Sequence, residues 1–583
     1  MHMQDGRTVA GRAEMALVGG FAGLSIWALV EQIPEVVTQP HAYLAVFSFV
    51  SGFFAVLLGL SGPYRVGRSI WPALCLSAVA AVLFFAAGLR FDTLETFFDA
   101  GYPAIAWAIL LAIGTPFAAS LLRDHRMVWD YVHLFDVSWG ILVRYSAAWL
   151  FAGVFWAVVF LSDALLQIVG LTVIDDLLDI DAVPYLITGA ALGLGLSVVH
   201  EMRDYLSPFL VLRLLRLLIP VVLAVVVVFV IAALLQDPGA LFGSLSRAGT
   251  LLAVAVAMIS LVSVALDRGD ADAVPSGWMR WATGALALLL PVIAALAGYA
   301  LWLRVAQHGW TPPRLAAVCS AGIVAIYALT YAIAVITGRG WMRRIRQANI
   351  VIAGLVLALA ALWLTPLLNA ERISSASQVA RILREDLSPA EAPLWELQND
   401  WGRAGQRGLD FLIAQLGNDH PEYAKAIAAL SKAPSKWELE QVTQDTRELR
   451  DAEALLNSLS VIPAEADIQA QNLLAWPGYR LRNWAELCEK RSDPGCVLLL
   501  GDFQPTQLGR EGFLFLPTNG RNFTVFSVFE RGADLFIGAN VPTEGAMQVT
   551  RGHVEHIMEG RFEVAPSSRN SLWIGTLELF PEF

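Results

Sequence analysis

Apolar runs recur along this chain at 15–31, 42–60, 70–89, 102–121, 146–170, 184–199, 217–235, 250–266, 281–303, 315–336 and 349–368. Each is long enough, or nearly so, to cross the ~30 Å hydrocarbon core of a bilayer as a helix. In lipid the backbone must satisfy itself, so runs of this length have helices as their only solution. The expected fold is a mainly α membrane protein: a polytopic bundle of about eleven transmembrane helices over 1–370. An extracytoplasmic helical domain (371–490) and a small β-rich domain (491–583) are expected to follow. The two shortest runs, 184–199 and 250–266, set the parity of the count.

Charge placement supports the count. The chain is 56% hydrophobic and 16% charged, where a soluble protein carries about 25% charged residues. Residues 1–370 contain no lysine, 20 arginines and 21 acids. With the N-terminus placed in the cytoplasm, alternation assigns 16 arginines to the inner side. Only Arg90, Arg247, Arg304 and Arg314 fall outside, as the positive-inside rule requires. Eleven is odd, so residues 371–583 are expected in the periplasm of a bacterial inner membrane. The apolar run from Met15 has no small-residue cleavage site after it and reads as a retained first helix.

The soluble part holds 20 basic and 30 acidic residues, a balance that argues against nucleic acid and anionic lipid surfaces as its partners. Helical periodicity runs to about residue 490. Short alternating runs then follow: CVLLLGDF, GFLFLP, NFTVFSVFE, ADLFIGANV, GHVEHIM and SLWIGTLELF, the pattern of a small β-sandwich or barrel-like unit. Cys488 and Cys496 bracket an Asp-Pro-Gly turn. In an oxidising compartment the expected reading is a disulfide, with two unrelated thiols as the alternative.

PYLITGAALGLGLSVVHE (184–201) and GYALWLRVAQHGWTPPRLAAVCSAGIVAIYALTYAIA (298–334) resemble a bacterial membrane family, domain of unknown function 4153. Their markers are a glycine-rich span closed by a charged residue and a short outer loop with Thr-Pro before arginine. The resemblance covers most of 1–370 and, in character, part of the next helical segment. It implies a multi-pass topology and brings no established activity.

Several residues invite a chemical reading. Gly189, Gly193 and Ser197 recur every four residues, the face of a closely packed helix or of a substrate groove. Asp163 is the only ionisable residue well inside an apolar run. It reads either as a cation or lipid headgroup site or as a wetted acid bonded to Ser162 or Gln167. Asp175, Asp176, Asp179 and Asp181 carry oxygens suited to Ca²⁺, without EF-hand spacing. His200-Glu201-Met202-Arg203-Asp204 differs from the zinc motif HExxH by an aspartate in last place. His553 and Glu555 share a face if GHVEHIM is a strand, with His556 turned away. Asp130, His133 and Asp136 sit among Trp129, Tyr131, Phe135 and Trp139, the composition of an interfacial helix.

No phosphate loop, dinucleotide fingerprint or serine elbow occurs, and nothing calls for a cofactor. Three functions stay open. The first is a non-catalytic envelope protein presenting an outer domain to envelope proteins or lipids. The second is a secondary transporter or lipid-handling protein that uses Asp163 and spans interrupted at Pro116, Pro220 and Pro291. The third is a membrane enzyme acting on a lipid-linked substrate.

Overall fold

The computed structural model describes residues 2–37, 39–61, 64–123, 128–201, 208–235, 245–274, 276–384, 387, 389, 391–416, 420–430, 432–433, 435–489, 494–503, 509–518, 522–541, 548–564, 572–574 and 577–579. Among them, eleven helices are long and apolar enough to cross a membrane. They are α1 (Gly11–Gln32), α2 (Pro40–Leu60), α3 (Val66–Gly88), α4 (Tyr102–Arg123), α5 (Tyr131–Ile168) and α6 (Ala182–Glu201), then α7 (Val211–Ala233), α8 (Ala248–Leu266), α9 (Gly277–His308), α10 (Pro312–Ile336) and α11 (Trp341–Leu364). Every apolar run of the sequence falls on one of them.

Helix α5 departs from expectation. Asp130 caps it, accepting from the Val132 amide at 3.1 Å, and the helix then runs unbroken for 38 residues. The aromatic segment around Tyr131–Trp139 is therefore the first turns of a span and not a separate interfacial helix. At 1.5 Å per residue α5 is ~57 Å long, nearly twice a hydrocarbon core. It also carries Arg144, so Asp163 is not the only ionisable residue within a span. The prolines correct a second expectation. Helices α4 and α9 continue through Pro116 and Pro291. Only Pro220 coincides with a break, where Pro208–Arg216 ends and Ile219–Leu234 begins with proline in its first turn.

The bundle packs as two halves. In the first, α1 and α6 run antiparallel in backbone contact: Met15 faces Gly193, Gly19 faces Gly189 and Gly23 faces Tyr185. Only glycine permits this approach. In the second half, Met258, Leu286, Leu290, Ala297, Ala328 and Tyr331 fill one core shared by α8, α9 and α10.

The chain forms two compact units that divide elsewhere than at 370 and 490. One comprises Met1–Asp386 with Pro393–Gln415, the other Leu387–Ala392 with Leu416–Phe583. Helices α12 (Ala370–Leu383) and α13 (Gly402–Leu416) thus pack largely with the membrane helices. Gln378 of α12 donates to the His308 and Trp310 carbonyls at 2.8 and 2.9 Å, and Ser375 donates to the Ala404 carbonyl.

The second unit contains helices α14 (Pro421–Leu430), α15 (Lys436–Ser458), α16 (Gly478–Glu489) and α17 (Arg551–Met558). Its strands are β1 (Leu459–Ile462), β2 (Cys496–Gly501), β3 (Glu511–Pro517), β4 (Asn522–Arg531), β5 (Asp534–Asn540) and β6 (Val549–Thr550). They make a single sheet in the order β1-β2-β3-β4-β5, with β6 also on β4. β1 joins β2 in parallel, and the other pairs are antiparallel. β7 (Leu572–Ile574) and β8 (Leu577–Leu579) pair separately. The unit is β-rich, and its main sheet is one layer with apolar packing on both faces, where a sandwich or barrel was expected. Leu498 and Leu500 point into a core with Trp476 and Leu481, while Val497 and Leu499 pack with Val554 of α17. Burial on both faces explains why β2 reads as a continuous apolar run.

Candidate functional site: an intramembrane cavity backed by arginine clasps

A cavity of about 690 Å³ lies between the two halves of the bundle, walled by α2, α4 and the first turns of α5 on one side and by α8, α10 and α11 on the other. Its lining is mostly apolar and includes no charged side chain. The polar groups are hydroxyls, one amide and two indole N–H groups: Thr115, Tyr131, Ser138, Tyr145, Ser263, Tyr327, Asn349, Trp107 and Trp139. The volume falls within the ~300–1,000 Å³ usual for small-molecule pockets, and an apolar wall with a few convergent polar groups is their usual chemistry.

Asn349 organises the polar end. It accepts from the Tyr331 hydroxyl at 2.7 Å, and its amide donates to Ser263 at 3.3 Å and to Tyr131 at 3.5 Å. Tyr331 and Ser263 are 3.1 Å apart. Three residues of three different helices are thereby fixed around one half-buried amide on a fourth.

Beyond this network the segment after α8, Asp267–Val274, gathers arginines. Arg346, three residues before Asn349, donates to the Leu266 carbonyl at 2.9 Å and to Asp270 at 2.8 Å. Arg216 donates to the Val264 carbonyl at 3.1 Å and pairs with Asp267, which is 2% exposed. Asp267 has φ +51°, a conformation aspartate tolerates through local hydrogen bonds. Here its carboxylate accepts from the Arg268 amide at 2.7 Å. Arg268 bonds Asp272 at 2.8 Å and lies 3.6 Å from Asp136 of α5. The Arg268 bond holds the Asp272 carboxyl below its ordinary range, and the same bond raises the Arg268 guanidinium. On the far wall of α5, Arg144 donates to the carbonyls of Gly59, Ser61 and Gly140 at 2.9–3.0 Å. This clasps the end of α2.

At the other end of the bundle, Arg90 is buried against Glu371, donating to it at 3.5 Å and to the Trp363 carbonyl at 2.8 Å. A further bond goes to the Thr365 carbonyl. Burial pushes the Arg90 guanidinium below the ordinary arginine range, and Glu371 opposes that shift.

The residues singled out from sequence are dispersed. Asp163 lies 19 residues beyond Arg144, ~28 Å along α5, so it sits towards the opposite end of a bilayer-thick span and does not line the cavity. One carboxylate oxygen accepts from Gln167 at 2.8 Å, and Ser162 bonds the Val158 carbonyl instead. Gly189 and Gly193 lie against α1, and Ser197 is buried on the same helix. Asp175, Asp176, Asp179 and Asp181 are exposed around a six-residue helix. Glu201 accepts from Arg12 of α1 at 2.5 Å. Met202, Arg203 and Asp204 lie outside the described residues. His133 is buried.

His553 and Glu555 lie on helix α17, which corrects the strand reading. The Thr550 amide donates to His553 Nδ1 at 3.3 Å as a helix cap, and Arg551 donates to Glu555 at 2.7 Å. Among the described residues no three His, Cys, Asp or Glu side chains gather to hold a metal. Cys488 and Cys496 stand at disulfide distance, with Cα atoms 5.5 Å apart.

Sequence reasoning counted Arg216, Arg268 and Arg346 as topology markers and missed their convergence. The available signal was the Asp267-Arg268-Gly269-Asp270-Ala271-Asp272 loop, three acids beside arginines that alternation assigns to the same side.

A multi-pass α-helical membrane protein with a helical and β-rich C-terminal part is the class these features define. The family model described as domain of unknown function (DUF4153) matches residues 39–391, more than half of the chain. The chain belongs to that family. No curated protein and no solved structure matches it.

Proposed function

We propose that this protein binds and handles a lipid or similar amphiphile in the membrane, with the cavity between the bundle halves as its site. The supporting observation is that cavity: apolar walls, no charged lining, and hydroxyls and an amide converging on Asn349. Acyl chains suit the walls, and a neutral polar group suits the Tyr131–Ser263–Asn349 end. The membrane is taken to be the bacterial inner membrane, with the N-terminus cytoplasmic and the C-terminal unit periplasmic. The arginine asymmetry supports this placement.

Native mass spectrometry of protein extracted in mild detergent tests the proposal. Wild type is expected to carry a bound amphiphile, and Ala353→Trp, which fills the cavity, is expected to lose it. An empty wild type, or equal occupancy in the variant, overturns the reading. A phosphatase or fluorescent-protein fusion after Phe583 tests the placement separately.

A second reading, a non-catalytic envelope protein acting through its C-terminal unit, is favoured by that unit having its own hydrophobic core. It predicts a protein partner that cross-links to residues 416–583.

A further inference from the structure

We infer that the amphiphile held between the bundle halves binds through an uncharged carbonyl oxygen, which accepts the phenolic proton of Tyr131. The inference rests on that cavity being an amphiphile site and names the chemistry the site selects.

The protons around Asn349 can be followed one by one. Tyr331 lies 2.7 Å from Asn349 Oδ1, the length of an O–H···O bond, so the Tyr331 proton goes to that oxygen. In its 3.1 Å contact with Ser263, Tyr331 can then only accept, and Ser263 spends its own proton there. The amide of Asn349 has two protons. One goes to Ser263 at 3.3 Å and the other to Tyr131 at 3.5 Å. Tyr331, Asn349 and Ser263 thus form a closed ring of donors. The proton left over is the phenolic one of Tyr131, and Tyr131 lines the cavity whereas Tyr331 does not. Trp107 of α4 lines it as well, and its indole N–H is buried without a hydrogen-bond partner among the described residues. An indole can only donate. The Ser138 and Tyr327 hydroxyls can give or take, so they leave the requirement unchanged.

An occupant that completes this wall brings an acceptor to Tyr131. It is also uncharged. The lining includes neither acid nor base, and the nearby guanidiniums of Arg216 and Arg346 are paired with Asp267 and Asp270. A phosphate, carboxylate or ammonium here would be a charge taken out of water with no counter-charge, which is costly. An alcohol oxygen accepts too, but adds a proton that needs its own acceptor. A carbonyl adds none. Two kinds of neutral amphiphile carry one: a quinone with an apolar tail and a glyceride ester. The aromatic walls favour the flat quinone ring, with Tyr131 5.6 Å from Phe135 and Phe135 6.2 Å from Trp139 between ring centroids.

Native mass spectrometry of the full-length protein, exchanged into fresh detergent, measures binding of decylubiquinone and of dioctanoylglycerol. Hexadecanol, hexadecylamine and palmitate are the controls. At least one carbonyl probe is expected to bind more tightly than all three. Tyr131→Phe keeps the ring and removes the proton, and is expected to bind that probe about tenfold more weakly. If Tyr131→Phe does not fold, infrared spectra of the wild type decide. The probe's carbonyl stretch should lie at lower wavenumber when bound than in empty micelles, and the shift should persist in Trp107→Phe. Binding of the quinone alone assigns a quinone, of the glyceride alone an ester lipid, and of both the carbonyl whatever carries it. Failure of both carbonyl probes, equal binding of any control, equal affinity in Tyr131→Phe, or an unshifted stretch overturns the inference. In each of those cases, loss of the co-purified amphiphile in Ala353→Trp leaves the cavity reading standing. Its retention there overturns that reading as well.

Discussion

Gly19 and Gly189 face each other across the α1–α6 contact so closely that a Cβ on either would strike the other's carbonyl oxygen. The obstacle is backbone, which cannot swing aside as a side chain can. Gly189→Ala should therefore force the helices apart and destabilise the protein by about 1–3 kcal/mol, the usual effect of overpacking. Gly153→Ala, on α5 with no atom within 4 Å of the added methyl, is the control. It should be neutral or stabilising by up to ~1 kcal/mol, because alanine favours the helix. Melting temperatures in detergent compare the two. Equal effects would remove the close approach as the cause.

Arg216 and Asp267 form a pair whose side chains are 12% and 3% exposed. Removing one partner leaves a buried charge uncompensated, at a cost of about 3–5 kcal/mol, whereas removing both relieves it. Arg216→Met and Asp267→Asn should each lower the melting temperature more than the double variant does. Additive losses would mean that the pair is not coupled.

What the sequence made legible follows from the length over which each signal accumulates. A bilayer demands about twenty apolar residues in a row, so all eleven helices could be read from composition. The start of α5 could not. Asp130, His133 and Asp136 broke the hydrophobicity, yet Asp130 serves as the cap, and Asp136 is answered by Arg268 from the segment after α8. GHVEHIM was read with period two because it is short. In the fold only Val554 is buried from that segment, so one anchor residue could not distinguish strand from helix. The cavity was illegible because it is lined from several helices far apart in sequence. Its polar residues, Asn349 and Ser263 among them, have no local pattern that marks them.

Arg510 and Glu530 join β3's leading edge to β4, with the guanidinium donating to Glu530 at 2.6 and 2.9 Å. That bond is the main reason the Glu530 carboxyl is held below its ordinary value of 4.5. A depressed folded-state value means that the contribution is full above the unfolded pKa and is lost as pH falls through the folded one. Hydrogen-exchange protection of β3 and β4, corrected for intrinsic rates, should fall as pH drops below about 4.5. In Glu530→Gln the same strands should show less pH dependence. An unchanged profile would assign the acid response to other carboxylates.

Cys488 and Cys496 close a loop of eight residues by sequence separation between α16 and β2. If the C-terminal unit folds in an oxidising compartment, peptide mapping without reductant should recover the two linked. Reduction should then destabilise that unit by about 2–3 kcal/mol, read as increased exchange in β2 of the intact protein. Two free thiols in protein taken from intact cells would count against the bond and against the periplasmic placement together.

Asp163 separates the transporter reading from the cavity reading. Its Oδ2 accepts from Gln167 one turn on, and its Oδ1 has no partner among the described residues. A carboxylate within a span costs at least ~2–3 kcal/mol unless it is hydrated or paired, so Asp163→Leu should leave the melting temperature unchanged or raise it. The residue is absent from the cavity wall, so retention of the amphiphile should match wild type in both Asp163→Leu and Asp163→Asn. Both variants should also complement whatever envelope defect a deletion strain displays. Loss of complementation with amphiphile retained would move the function along α5, away from the cavity and towards an acid-dependent ion step. Loss of the amphiphile itself would mean that the binding site extends well beyond the walls that surround Asn349.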